Sequence, residues 1–180
     1  MTYKYNEIIK KYKTRTKLKK ALEEKEIYHI KNGIYADEKI VDPLIIYCKQ
    51  YPKAIITMDS AFYFYHLTDV IPDRIYLATD RKSYVIKDEN IFQLFLPKDI
   101  LLLGNTTLDL QDGTINIYDK ERLLIELIRK RKQISFDYYK EIISNYREIA
   151  DELDMYKIEE YLTFFKNGEV IFEIMQREVF

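Results

Sequence analysis

Within the first 36 residues the spacing of apolar side chains switches from a helical period to a strand period, and this switch constrains the fold more than anything else in the chain. Tyr5, Ile8, Ile9 and Tyr12 are spaced i, i+3, i+4, i+7, which predicts one helix with a single apolar stripe. Thr14 is placed to cap a second helix that buries Leu18, Ala21 and Leu22. At about 100° per residue the opposite face carries Thr16, Lys20 and Glu23, flanked by Lys17 and Lys19. After Lys25 the period becomes two: Ile27 and His29 alternate with Tyr28 and Ile30. Asn32-Gly33 then makes a turn that tolerates positive φ before Ile34-Tyr35 returns, with Lys31 at the tip. So small a hairpin needs something to pack on, and the two helices supply it. Helix, helix and hairpin in this order predict a short winged helix-turn-helix.

Charge is polarised along the chain. Residues 1–20 hold eight Lys or Arg (4, 10, 11, 13, 15, 17, 19 and 20) against one acid, Glu7, a net of +7, whereas the whole chain sums to −1. Phosphate binding requires local positive density, not a basic whole protein, so the near-neutral total is compatible with a DNA-facing N-terminal end.

At 180 residues the chain exceeds one typical domain of about 100–150 residues. The expected division is a winged helix over 1–40 and a larger mixed α+β domain over 41–180. With 47% apolar residues, four Gly and four Pro, a core is easily filled and no low-complexity linker is present. No apolar run approaches the roughly 18 residues of a membrane span, and the charged start does not resemble a signal peptide, so a cytoplasmic protein without membrane contact is expected. Cys48 has no second cysteine to pair with.

Asp42-Pro43 suits a helix start, and that helix runs to a stop at Tyr51-Pro52. Ala54–Thr57 and Arg74–Thr79 are expected as strands, with a short aromatic helix capped by Asp59 or Ser60 reaching about His66. Residues 84–118, broken at Pro97, Gly104 and Asp112-Gly113, suggest several strands. Helices are expected over 119–130, around 136–149 and around 158–165. A closing strand is expected over 169–175 after the Asn167-Gly168 turn.

Four segments together resemble the AbiEi antitoxins, the DNA-binding half of type IV abortive-infection toxin-antitoxin systems. They are the Ile30–Ala36 hairpin, Tyr51–Pro72, Arg74–Thr79 and Ile117–Leu123. The resemblance spans roughly residues 5–130. It implies a non-enzymatic protein without cofactor whose winged helix binds inverted repeats in its own promoter and represses the operon. It also implies a larger domain that counteracts a nucleotidyltransferase-like toxin. By position it places Arg15, Thr16, Lys17, Lys19 and Lys20 on the recognition helix and Lys31 and Asn32 on the wing. Family members usually have three helices before the wing, and this chain has room for two. Pairing of two copies on the repeat is expected to supply specificity.

Other chemistries fit these residues less well. His29 and His66 lack metal-ligand spacing, so no metal site is expected, and His66 reads as a packed residue. Cys48 reads as core. Asp109, Asp112 and Asp119 lie near strands, but no acid-x-Lys strand follows to complete a magnesium nuclease. Asp119, Glu121 and Arg122 suit a helix start, with Arg122 pairing to a neighbour. Arg129, Lys130, Arg131 and Lys132 end a helix, where cations favour the dipole; a secondary DNA contact is the functional alternative. The rival functions are a magnesium-dependent nuclease targeted by a winged helix, and a protein-interaction module with an incidental basic end.

Overall fold

In the computed structural model, which describes residues 1–180, the N-terminal apolar stripe lies on α1 (Tyr5–Tyr12). The Lys4 backbone N–H donates to Glu7 Oε2 at 2.7 Å and starts that helix. Lys13, at φ 64°, ends it. Thr14 caps α2 (Arg15–Glu23): its side-chain oxygen accepts from the Lys17 N–H at 3.2 Å. Ile8, Leu18, Ala21 and Ile27 form a small core, with Tyr5, Ile9, Tyr12, Leu22 and Tyr35 packed around it. The hairpin is β2 (Tyr28–Lys31) and β3 (Ile34–Ala36), turning at Gly33, which has φ 77°. A strand not anticipated, β1 (Thr2–Lys4), lies antiparallel to β3 and completes a three-stranded sheet of order β1-β3-β2. Three residues carry too little pattern to be read as a strand alone; their partner defines them.

The chain is mixed α+β and divides into two compact units, Met1–Ala54 with Thr107–Asn116, and Ile55–Thr106 with Ile117–Phe180. This differs from the expected break after residue 40. Helix α3 (Pro43–Gln50), started by Asp42 Oδ1 accepting from the Leu44 N–H at 2.7 Å, packs on β1 and β3 and so belongs to the first unit. Residues 107–116 join the same unit, in part through backbone. Thr2 N–H donates to the Asp112 carbonyl at 2.8 Å, and a Cβ on Gly113 would stand 2.9 Å from both Ile45 Cγ2 and Thr2 Oγ1.

The second unit is built from β4 (Ile55–Ile56), α4 (Met58–Phe64), β5 (Ile75–Asp80), β6 (Ile91–Leu96) and α5 (Lys98–Leu101). The strands β7 (Asn105–Leu110) and β8 (Gly113–Tyr118), whose residues Thr107–Asn116 are counted in the first unit, follow in a five-stranded sheet of order β6-β5-β4-β8-β7. β5 and β6 run parallel, from Ile75 opposite Ile91 to Asp80 opposite Leu96, while β4 is antiparallel to β5 and parallel to β8. Helices α6 (Lys120–Lys130), α7 (Phe136–Glu148), α8 (Met155–Leu162) and α9 (Gly168–Glu178) follow. α6 is the central one: Leu123, Leu124, Ile125 and Leu127 are fully buried, and it packs on α4, α8 and α9. None of the helices is long and apolar enough to cross a membrane.

The expected closing strand over 169–175 is instead α9. Val170-Ile171-Phe172 looks β-like, yet the buried positions are Ile171, Ile174, Met175 and Val179, a helical spacing. Asn167-Gly168 is no hairpin turn; a Cβ on Gly168 would collide with the Leu162 carbonyl, so glycine allows α9 to start close against the end of α8. Two smaller expectations also change. Thr57, not Asp59 or Ser60, stands at the start of α4. His66 is exposed at φ 57° rather than packed.

Candidate nucleic-acid interface

Burial of Leu18 and Ala21 turns the rest of α2 outward. Arg15, Thr16, Lys17, Lys19 and Lys20 are all exposed on this one helix. Lys19 pairs loosely with Glu23 at 3.8 Å and Lys20 with Glu24 at 3.5 Å, both i,i+4 pairs in open solvent. Such pairs are worth only about 0.3–0.5 kcal/mol, so they do not hold the ammonium groups back from a stronger anion. Lys10 and Lys13 of the preceding helix and its cap are exposed as well.

Not every N-terminal cation is free. Lys11 donates to Asp37 Oδ1 and to the Tyr3 hydroxyl, each at 3.0 Å, while Tyr3 donates to Asp37 Oδ2 at 2.9 Å. Burial would raise the Asp37 carboxyl, but Lys11 and Tyr3 outweigh it and hold Asp37 below its ordinary value. The Tyr3 bond, ahead of Asp37, raises Lys11. Lys49 likewise pairs with Glu7 at 2.9 Å. These contacts tie α1 and α3 to the rest of the first unit.

At the hairpin, Asn32 is exposed, whereas Lys31 is half-buried and bends back. Its Nζ donates to the Tyr47 hydroxyl at 3.2 Å and lies 4.3 Å from the centre of that ring. The sequence offered no signal for this, because Tyr47 lies beyond the hairpin on α3.

Of the other basic cluster, Arg129 is committed to Glu126, its Nη1 reaching both carboxylate oxygens at 2.8 and 2.9 Å. Lys130 donates to Gln133 at 3.4 Å, Lys132 is exposed, and Arg131 has a buried Nη1 without an acceptor.

Models of known families were compared with the chain and none matches; no curated protein matches it either.

Of the three acids weighed for a nuclease, Asp109 is exposed on β7, while Asp112 and Asp119 have structural partners. Asp112 holds the Met1 ammonium at 2.9 Å. Asp119 caps α6 through the Arg122 N–H at 2.8 Å and accepts from the Tyr161 hydroxyl at 2.8 Å. Burial pushes the Asp119 carboxyl above its usual value, against the opposing bonds from Arg122 and Tyr161. Glu121 accepts from the Asp154 N–H at 3.0 Å. Cys48 is buried in α3, and desolvation pushes its thiol up to about 11, which leaves it protonated and unreactive near neutral pH. His29 lies tilted against Tyr35, with ring centres 5.1 Å apart.

The feature most hidden from the sequence is Arg122, fully buried on α6. It pairs with Glu126 one turn on, and its guanidinium lies 5.0 Å from the Tyr118 ring and 4.9 Å from Phe165. The i,i+4 Arg-Glu spacing was the available signal, but the same spacing serves exposed helix faces equally well.

Proposed function

We propose that the chain binds double-stranded DNA through α2 and the β2–β3 hairpin, as a winged helix, and acts as an antitoxin and autorepressor of the AbiEi kind. The observation that carries this is the exposed face of α2, where Arg15, Lys17, Lys19 and Lys20 surround Thr16 with no buried partner for any of the four cations. A helix of this kind is suited to the major groove. Lys and Arg would neutralise phosphates and set register, while Thr16, Lys17 and Lys20 reach base edges. Asn32 would touch the backbone from the hairpin. Lys31, engaged by Tyr47, stiffens that hairpin and adds to its field without extending from it.

One such helix reads few base pairs, so two copies on an inverted repeat would set specificity. On this reading the protein works in the cytoplasm, carries no catalytic residue and needs no cofactor. Its second unit opposes a nucleotidyltransferase-like toxin.

The test is retardation of the promoter fragment upstream of the chain's own gene. Retardation should weaken steeply with salt, and the double variant K17E/K20E should abolish it at moderate ionic strength. The slope of log affinity against log salt should become shallower by about 0.9 for each phosphate that is no longer neutralised. Retardation left intact in the double variant would remove α2 as the recognition element, and no retardation even at low salt would end the DNA-binding reading.

A further inference from the structure

A groove of about 730 Å³ opens in the second unit where the end of α6 and its following 3₁₀ turn (Arg131–Gln133) meet the segment joining α8 to α9. Its lining includes Arg129, Arg131, Lys132 and Lys166, and Asp99 is its one carboxylate. Neither Lys132 nor Lys166 stands within salt-bridge reach of an acid, and Arg131 Nη1 is buried with no hydrogen-bond acceptor.

Behind the lining, the charge is also unbalanced. Glu126 serves both Arg122 and Arg129, one carboxylate between two guanidinium groups, and Nε and Nη1 of the fully buried Arg122 have no acceptor. Phe165, part of the lining, has Arg122 at 4.9 Å and Arg129 at 4.3 Å from its ring centre. A buried positive charge left uncompensated is costly, and in a low-dielectric surround its field reaches the groove with little screening. An anion entering the groove supplies what the fold lacks.

Phosphate fits that need best. It carries up to two charges, and its oxygens match the fork of a guanidinium. Phe164, about half exposed on the same lining, offers a flat apolar face beside the cations, on which a base can stack. The volume falls within the roughly 300–1,000 Å³ of small-molecule sites. Arg131 is half-buried and belongs to the lining, so a phosphate group that enters the concavity meets the exposed part of its guanidinium.

We propose that this groove binds a nucleoside di- or triphosphate, with Arg131, Lys132 and Lys166 holding the phosphates and Phe164 against the base. The proposal does not depend on the DNA-binding reading.

Calorimetric titration of the full-length chain with ATP, GTP and inorganic tripolyphosphate tests it. Saturable binding at one site per chain is expected, tighter for a nucleotide than for tripolyphosphate. R131A and K166E should each weaken nucleotide binding by about tenfold or more, the scale of one charge-assisted contact. F164A should weaken the nucleotide but not tripolyphosphate, and K17E/K20E should change neither. The variants' far-UV circular dichroism should match the wild type, Lys166 and Phe164 being exposed. The proposal is overturned if no nucleotide binds, if tripolyphosphate binds as tightly as nucleotide, or if the groove variants bind as the wild type does. It is overturned equally if K132E and K166E lose DNA retardation while no nucleotide binds, because the groove would then be a DNA contact.

Discussion

Glu126 is where a single side chain decides most. It is buried on α6 and accepts from two guanidinium groups, Arg122 at its back and Arg129 toward solvent. Removing it strands a fully buried cation, which typically costs about 3–5 kcal/mol. Replacing Arg122 by Met keeps the volume, removes the cation and leaves Glu126 its partly exposed Arg129 partner. The expected order in urea denaturation is therefore Glu126→Ala far below Arg122→Met, with the latter losing less than half as much; equal losses would mean the pair does not act through charge. Asp119 gives a second residue-scale prediction, in pH. Because burial raises its folded carboxyl above the unfolded 3.8, the neutral form is favoured in the fold. Its stabilising contribution is complete below the unfolded value and is lost as pH rises through the folded one. Asp119→Asn, which still caps α6, should flatten that segment of the stability profile. A wild-type minus variant difference that stays constant across the window above pH 3.8 would contradict this.

At the level of elements, two glycines separate conformational cost from steric cost. Gly33 turns the β2–β3 hairpin at φ 77°, and a Cβ there would meet nothing within 4 Å. Gly104, at φ 71° before β7, would drive its Cβ into Arg122 Cβ and stand it 2.9 Å from Asp119 Oδ1. Gly33→Ala should cost about 1 kcal/mol, the penalty of a left-handed alanine. Gly104→Ala should cost clearly more, because it must also displace the start of α6; equal midpoints for the two variants would refute the crowding. Thr14→Ala should cost about 1 kcal/mol by uncapping α2, and Thr14→Ser little. The elements legible in the sequence are those whose signal is local. α1, α2, the Asn32-Gly33 turn, α3 and α6 carry their own stripe, cap or turn residue. α9 reads as a strand because Val170-Ile171-Phe172 satisfies a strand template within three residues, while the helical period needs the longer span to Val179. β1 exists only through pairing with β3, so nothing within Thr2–Lys4 announces it.

For the molecule as a whole, the chain order conceals the unit order. The exposed cations of α2 were readable from periodicity, because burying Leu18 and Ala21 dictates what faces out. Lys31 on Tyr47, Arg122 beneath Phe165 and the unit boundary were not, because each depends on residues distant in sequence. The boundary makes a prediction that the division at residue 40 does not. The first unit needs Thr107–Asn116: Asp112 takes the Thr2 N–H at 2.8 Å and its side chain takes the Met1 ammonium, while Gly113 sits against Ile45 and Thr2. A fragment of residues 1–54 loses those partners and leaves β1 and α3 with polar and apolar surface exposed. Units of this size bury only about 60% of their unfolded surface and are marginal even when intact. The fragment alone should therefore show no cooperative thermal transition, and the hairpin 107–116 appended through a flexible linker should restore one. If residues 1–40 or 1–54 melt cooperatively by circular dichroism without the hairpin, the N-terminal end is an independent domain and the division drawn from the structure is wrong.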